Sequence, residues 1–465
     1  MFPPPSWRHL ILIGCVSYCG IAASVHGAEA STDTAANASA TLSGEGSGRA
    51  TAYAEQHKII TVEDKTHVVW LDADQSRFLV RGRTLDRKTG QWSEVVTIGE
   101  AQDNHGGPSL TADSEGYLHI VYYPHHQPVR YRRSVRPNDL SAWSDEVLFG
   151  EGLSYPTMIC APDNTLVLTA RRGYFDTTGA YVDSQHMEQE LWTKAPKGNW
   201  ERRSTLIRSR FPRYAQFATS LAWGTDGRTL HLSARIYETP REAGAKALTT
   251  IAYMKSPDGG RTWTRSDGSR IELPATAETV DVLASGGGAD GPPLNLGPLA
   301  ISAAGTPHLF YTANGNGHSR LYLATPAAER DWTHREMTQL VPAPLRDWVV
   351  DFGMGGGLTF SESGRATLAV VVLNPTKEER GTLKEWAHPT AEVLRLWSDD
   401  DFATAKGELL GSVNAQEPHW LVNIERATGH NRVSDQPGII FTAGIAGAGL
   451  KDLKLENRVI WHPAN

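Results

Sequence analysis

"GPSLTADSEGYLHIVYY", residues 107–123, is a short apolar run, a polar turn carrying Asp and Gly, and then a strand-like run of alternating apolar residues. That order is the signature of a β-hairpin. The same order recurs in "YPTMICAPDNTLVLTAR" (155–171), "ATSLAWGTDGRTLHLSAR" (218–235), "GPLAISAAGTPHLFYT" (297–312) and "GGGLTFSESGRATLAVVV" (355–372), and "HKIITVEDKTHVVWLD" (57–72) is an earlier copy. After the hairpins come Trp92, Trp143, Trp200, Trp263 and Trp332 in polar turns. One turn, "SPDGGRTW" (256–263), fits the Asp-box pattern, in which the Asp holds turn amides and the Trp packs between sheets. Six units are legible. "PGIIFTAG" (437–444) and "NRVIWHP" (457–463) can complete a seventh. Repeats of about 50–70 residues with four strands each predict an all-β, seven-bladed β-propeller, with ligands near the central channel.

Composition agrees with many short elements joined by turns: 465 residues contain 44 Gly and 26 Pro. The net charge of −7 argues against nucleic acid as the partner. Arg8 and His9, the apolar run Leu10 to Ala23 and Ala28-Glu29-Ala30 read as an export signal over residues 1–30. The run is too short to span a membrane. Secretion or periplasmic export is expected; Leu12-Ile13-Gly14-Cys15 leaves open a lipid anchor on Cys15. Residues 31–50 read as a flexible linker and 51–465 as the propeller domain. Of three cysteines only Cys160 would remain after cleavage, so no internal disulfide is expected. A monomer is expected.

The polar residues at the hairpin ends carry the functional reading. His105 precedes the first strand of one unit, and His125 and His126 follow its second. Tyr155 opens the next unit and Arg171 closes its hairpin; "FPRYAQF" brings Tyr214 into the one after. In a propeller such equivalent ends lie on one face. Each also has a structural reading: a turn histidine, a packed tyrosine, an arginine paired between blades. Their coincidence in consecutive units favours a shared cleft.

"DNHGGPSL…GYLHIVYYPHHQP…YRRS" resembles the BNR-repeat propellers that include the ulvan lyases. The resemblance is clearest from the first hairpin through the fourth blade. It implies an exported lyase that cleaves a uronate-containing, ulvan-like polysaccharide by β-elimination. His105 and Tyr155 match the proton-transfer positions, with acid and base unassigned. His125 or His126, Arg171 and Tyr214 match substrate-binding positions. The partner implied is an anionic polysaccharide, with no cofactor; His419, His430 and His462 match no standard metal spacing. Related propellers include hydrolases acting on rhamnosyl–glucuronate linkages, and a non-catalytic carbohydrate-binding propeller is a further alternative.

Overall fold

The computed structural model describes residues 39–176, 182, 184–242, 244–288, 291–315, 318–327, 331–352, 355–379, 387–445, 453 and 457–463. The export signal, Cys15 and the first part of the linker lie outside the described residues. Among those described, regular structure is almost entirely strand, with short 3₁₀ turns such as Thr338–Leu340 and Ala343–Leu345. No helix among them is long and apolar enough to cross a membrane.

The strands form five antiparallel sheets of nine, seven, six, five and five strands. The predicted hairpins are present: Ser109–Ala112 pairs with Leu118–Tyr122, and Ala215–Trp223 pairs with Leu230–Glu238 over its full length. The two longest sheets each hold two strand groups. In the seven-stranded sheet the long strand Val147–Cys160 serves both, pairing with His125–Arg133 by its first part and with Leu166–Arg172 by its second. In the nine-stranded sheet Ala40–Gly46 pairs with Asn457–His462 and touches Lys65–Ala73 at Gly46 opposite Asp72. The sheets as hydrogen-bonded number five; dividing the two long ones at these shared strands is what yields seven groups. The innermost strands then adjoin in sequence, from Ile59–Val62 against Ser109–Ala112 round to Gly357–Phe360 against His419–Ile424. This is a propeller-type arrangement.

The linker expectation is corrected for its second half. Ala40–Gly46 is a strand, and Leu42 is buried between Trp70 of the first group and Trp461 of the last. Small polar residues conceal it because its outer face is solvated and a single leucine carries its packing. The chain then enters the ring: Ala50 to Lys58 is buried throughout. Asn423 donates to the Tyr53 and Gln56 carbonyls, Gln56 donates to the Pro156 carbonyl, and Lys58 donates to the Pro108 carbonyl at 2.9 Å. Three groups are thus tied to one central segment.

The Asp box is built as expected. Asp258 Oδ1 accepts from the Arg261 and Thr262 amides, and Trp263 is buried. A second turn of the same build was not legible: Asp400 accepts from Thr404, and the Phe402 amide donates to Ser398 Oγ as the Gly260 amide does to Ser256 Oγ. Phe402 stands where the motif has glycine, at φ 59°.

Candidate active site

Asp103 organises the site. Its two carboxylate oxygens accept from two imidazoles: His105 Nδ1 lies 3.1 Å from Oδ1, and His125 Nδ1 lies 2.6 Å from Oδ2. The two rings stack with centroids 4.0 Å apart. Burial alone would raise the Asp103 carboxyl, but hydrogen bonds from His105 and His125 outweigh it and hold the group well below the usual range. An ionised carboxylate can only accept, so both Nδ1 atoms carry a proton. Among the described residues no hydrogen bond engages either Nε2. Burial, partly offset by Asp103, pushes His105 down to about 4, so its imidazole is neutral at pH 7.

His126 shares the site with His125, although successive strand residues normally point to opposite faces. Its φ of 66° breaks the alternation. Its ring sits 4.3 Å from that of His125 and 4.0 Å from Phe175, and its Nδ1 lies 3.2 Å from Ser154 Oγ. Burial, then Arg171, pushes it down to about 3. The choice between the two histidines left by the sequence therefore has no single answer: both belong.

Tyr155 lies at an irregularity in the long strand, where the register shifts between Ser154 and Thr157. Its φ is 55°. A bulge at this point turns the side chain out of the ladder and toward the histidines. The ring lies 6.0 Å from His105 and 6.3 Å from His125, and burial pushes the hydroxyl's pKa up against the pull of Arg171. The phenol is therefore protonated at neutral pH. Positive φ at Tyr123, His126 and Tyr155 in one small region is local strain of the kind that gathers at functional sites.

Arg171 joins the cluster from below. Only 1% of it is exposed, its guanidinium lies 4.7 Å from the Tyr155 ring and 5.5 Å from the Tyr214 ring, and Nη1 reaches the Ala215 carbonyl at 3.4 Å. Tyr214, at 43% exposed, forms the rim. All six residues singled out in the sequence thus fall in one region. The two glycines after His105 do not serve a left-handed turn: neither Gly106 nor Gly107 has positive φ. They are needed for close approach, since a Cβ at Gly106 would meet the Tyr123 carbonyl oxygen at 2.7 Å and one at Gly107 the Ala52 carbonyl oxygen at 2.9 Å.

Tyr53 and Arg49 were missed. Tyr53 packs edge-on to Tyr155 at 4.7 Å, and Arg49 donates to its hydroxyl. Both precede the first repeat, in or beside the stretch read as linker, where no periodicity marks them. Asp103, His105 and His125 place one donor atom each within 4.8 Å of one another and are the residues best arranged to hold a cation. A cation taken on the Nδ1 side would displace the two ring protons that Asp103 accepts, so we read the trio as a proton-handling group. His419, His430 and His462 are dispersed, bonding Glu392, the Ala161 carbonyl and the Pro463 carbonyl respectively.

Fold and site together define an all-β, propeller-type protein with a His/Tyr/Arg cluster at the strand ends of one face. The chain belongs to the BNR repeat-containing family, whose family model matches residues 65–340 and so spans all six predicted site residues. A stretch is 30% identical over 87 residues to an ulvan lyase (PL25) of Pseudoalteromonas sp. (strain PLSV), covering 13% of this chain and 18% of that one. The chain thus matches less than a fifth of that relative's length. Over nearly the whole chain the fold is similar to the solved ulvan lyase of family PL25 bound to -[GlcA(1-4)Rha3S]-, with TM-score 0.67, 14% identity, and coverage of 91% of this chain and 95% of that one. It is also similar to the polysaccharide lyase Uly1, with TM-score 0.57, 13% identity, and coverage of 89% and 91%.

Proposed function

We propose that this protein is an exported polysaccharide lyase that cleaves a uronate-containing, ulvan-like polysaccharide by β-elimination. The observation that carries the reading is the Asp103 bridge, which leaves His105 neutral with an open Nε2 atom beside a protonated tyrosine. β-Elimination needs a base for the proton next to the carboxylate and an acid for the leaving glycosidic oxygen. His105 Nε2 is the base, and Tyr155 gives its phenolic proton to the leaving oxygen. Arg171 and Arg49 supply positive charge where the carbanion develops next to the carboxylate. His125, His126 and Tyr214 hold the sugar. The similarity to ulvan lyases in fold, and over one short stretch in sequence, supports the substrate class. A retaining hydrolase needs two carboxylates about 5–5.5 Å apart at the bond. The cluster has one, and both its oxygens are bonded to histidines.

Incubation with ulvan and other uronate polysaccharides tests this. An unsaturated uronate absorbing in the near ultraviolet is expected, with turnover reduced about 10²–10⁴-fold in His105→Ala and Tyr155→Phe. Saturated reducing ends without that absorbance would mean hydrolysis, and binding without turnover would mean a carbohydrate-binding propeller.

A further inference from the structure

Tyr53 stands beside both proton-transfer residues. Its ring lies edge-on to that of Tyr155 at 4.7 Å and 6.2 Å from that of His105. The side chain is 1% exposed and packs with Trp420 and Leu421, so its hydroxyl must find its partners within the protein. Its backbone is fixed relative to that of Tyr155. Gln56 Oε1 accepts from the Tyr53 amide at 3.3 Å, and Gln56 Nε2 donates to the Pro156 carbonyl at 3.2 Å. Asn423 donates to the Tyr53 carbonyl at 3.2 Å. One glutamine side chain thus sets the spacing of the two tyrosines.

The Tyr53 hydroxyl is polarised from one side. Arg49, half-buried, donates to its oxygen. A guanidinium only donates, so the Tyr53 oxygen accepts and the Tyr53 proton is directed elsewhere. Accepting from a cation also strengthens that O–H as a donor. Tyr155 receives it. Burial pushes the Tyr155 hydroxyl up, and Arg171, Arg49 and a hydrogen bond from Tyr53 all act against that by favouring its anion. Burial, then the neighbouring Tyr155, holds Tyr53 well above an ordinary phenol, so Tyr53 stays protonated and remains a donor.

We propose that Tyr53 is a positioning residue for the elimination: it accepts from Arg49, gives its own O–H to the Tyr155 oxygen, and so leaves the Tyr155 proton directed into the cleft. The inference rests on the lyase reading and adds to it the group that orients the acid. In the step, the proton next to the carboxylate passes to His105 Nε2, and its electron pair forms the carbon–carbon double bond. The glycosidic bond breaks, and the departing oxygen takes the Tyr155 proton. Negative charge then sits on the Tyr155 oxygen, where the Tyr53 O–H already points, so no group reorients as the charge appears. One proton lost from His105 to water and one gained by Tyr155 from water restore the resting state.

Tyr53→Phe tests this, because it deletes the hydroxyl and keeps the ring contacts. On a uronate polymer kcat should fall about 10-fold with KM unchanged. The same substitution in a Tyr155→Phe background should cost nothing further, since the two hydroxyls act as a unit. A second readout needs no turnover. With Tyr155 replaced by 3-fluorotyrosine, the fluorine resonance should titrate about one pH unit higher in Tyr53→Phe than with Tyr53 in place. A tyrosine that only packs would leave that titration unmoved and would lower kcat equally in both backgrounds. Either result overturns the proposal, as does a loss confined to KM. A wild-type protein inactive on every uronate polymer overturns the lyase reading, and with it the elimination step; the fluorine titration separates that failure from a failure of Tyr53 to donate to Tyr155.

Discussion

Asp103 decides what the histidines can do. Alone, a buried histidine offers either nitrogen; with an ionised carboxylate on Nδ1, the lone pair is fixed on Nε2. Asp103→Asn is nearly isosteric, yet its amide can donate to Nδ1 and turn the ring to the wrong tautomer. We expect kcat to fall about 10²–10⁴-fold on a uronate polymer with little loss of stability. The pH profile gives a second reading. Burial pushes His105, the proposed base, down to about 4, so kcat/KM of the wild type should hold as pH falls through 6.5 and drop only toward 4. Asp103 raises the His105 pKa, so its removal should move the acid limb lower still. An acid limb near 6.5 in the wild type would place the base elsewhere. At this scale the sequence was informative about identity: His105, Tyr155 and Arg171 stand out as chemical types at equivalent hairpin ends. It was silent on Asp103 as a double acceptor, because that role depends on two oxygens facing residues 2 and 22 positions away.

Elements place these side chains by departing from regularity. A regular strand would have sent His126 away from His125, and an unbroken ladder would have kept Tyr155 within the sheet. Irregular register and positive φ are set by tertiary contacts and leave no periodic trace, which is why the sequence left the two histidines as alternatives. The buried segment Ala50 to Lys58 is the other such element. Gly107 lies against it, and a Cβ there would approach the Ala52 carbonyl oxygen at 2.9 Å and Gln56 Oε1 at 3.2 Å. Gly107→Ala should therefore shift the segment and Tyr53 with it. We expect a loss of about 1–3 kcal/mol in denaturant unfolding, together with lowered turnover. Normal stability with normal turnover would show that the segment yields without cost.

For the whole molecule, the strand Ala40–Gly46 joins the first and last groups. Leu42 packs against both the first and the last group, among Trp70, Ile440 and Trp461. Leu42→Ala should cost about 2–5 kcal/mol by chemical denaturation, as for other buried leucines. A change under half a kcal/mol would mean that closure is held elsewhere. Acid should weaken the fold as well. Burial is the largest cause pushing His67, His105 and His231 down to about 4 and His126 to about 3. Between pH 6.5 and 4 the unfolded chain binds protons that the folded one refuses, so stability falls as pH falls through that window. The denaturation midpoint at pH 4.5 should lie clearly below that at pH 7; equal midpoints would show these rings open to water.

The sequence by itself determined the class of fold. Alternation and turn chemistry are local and recur every unit, so hairpins, an Asp box and the pairing of the last strands could be read without coordinates. It also singled out six side chains that the structure brings into one region, since they stand at matching hairpin ends. Only the tertiary structure decided how the ring closes, what fills its centre and which nitrogens face the cleft. Ala40–Gly46 becomes a strand because Asn457–His462 lies beside it, more than 400 residues away in the chain. Tyr53 and Arg49 join the site because the ring brings Asn423 and Pro156 around their segment. Such contacts are long-range, and a strand or buried segment specified by its neighbours needs no signature of its own.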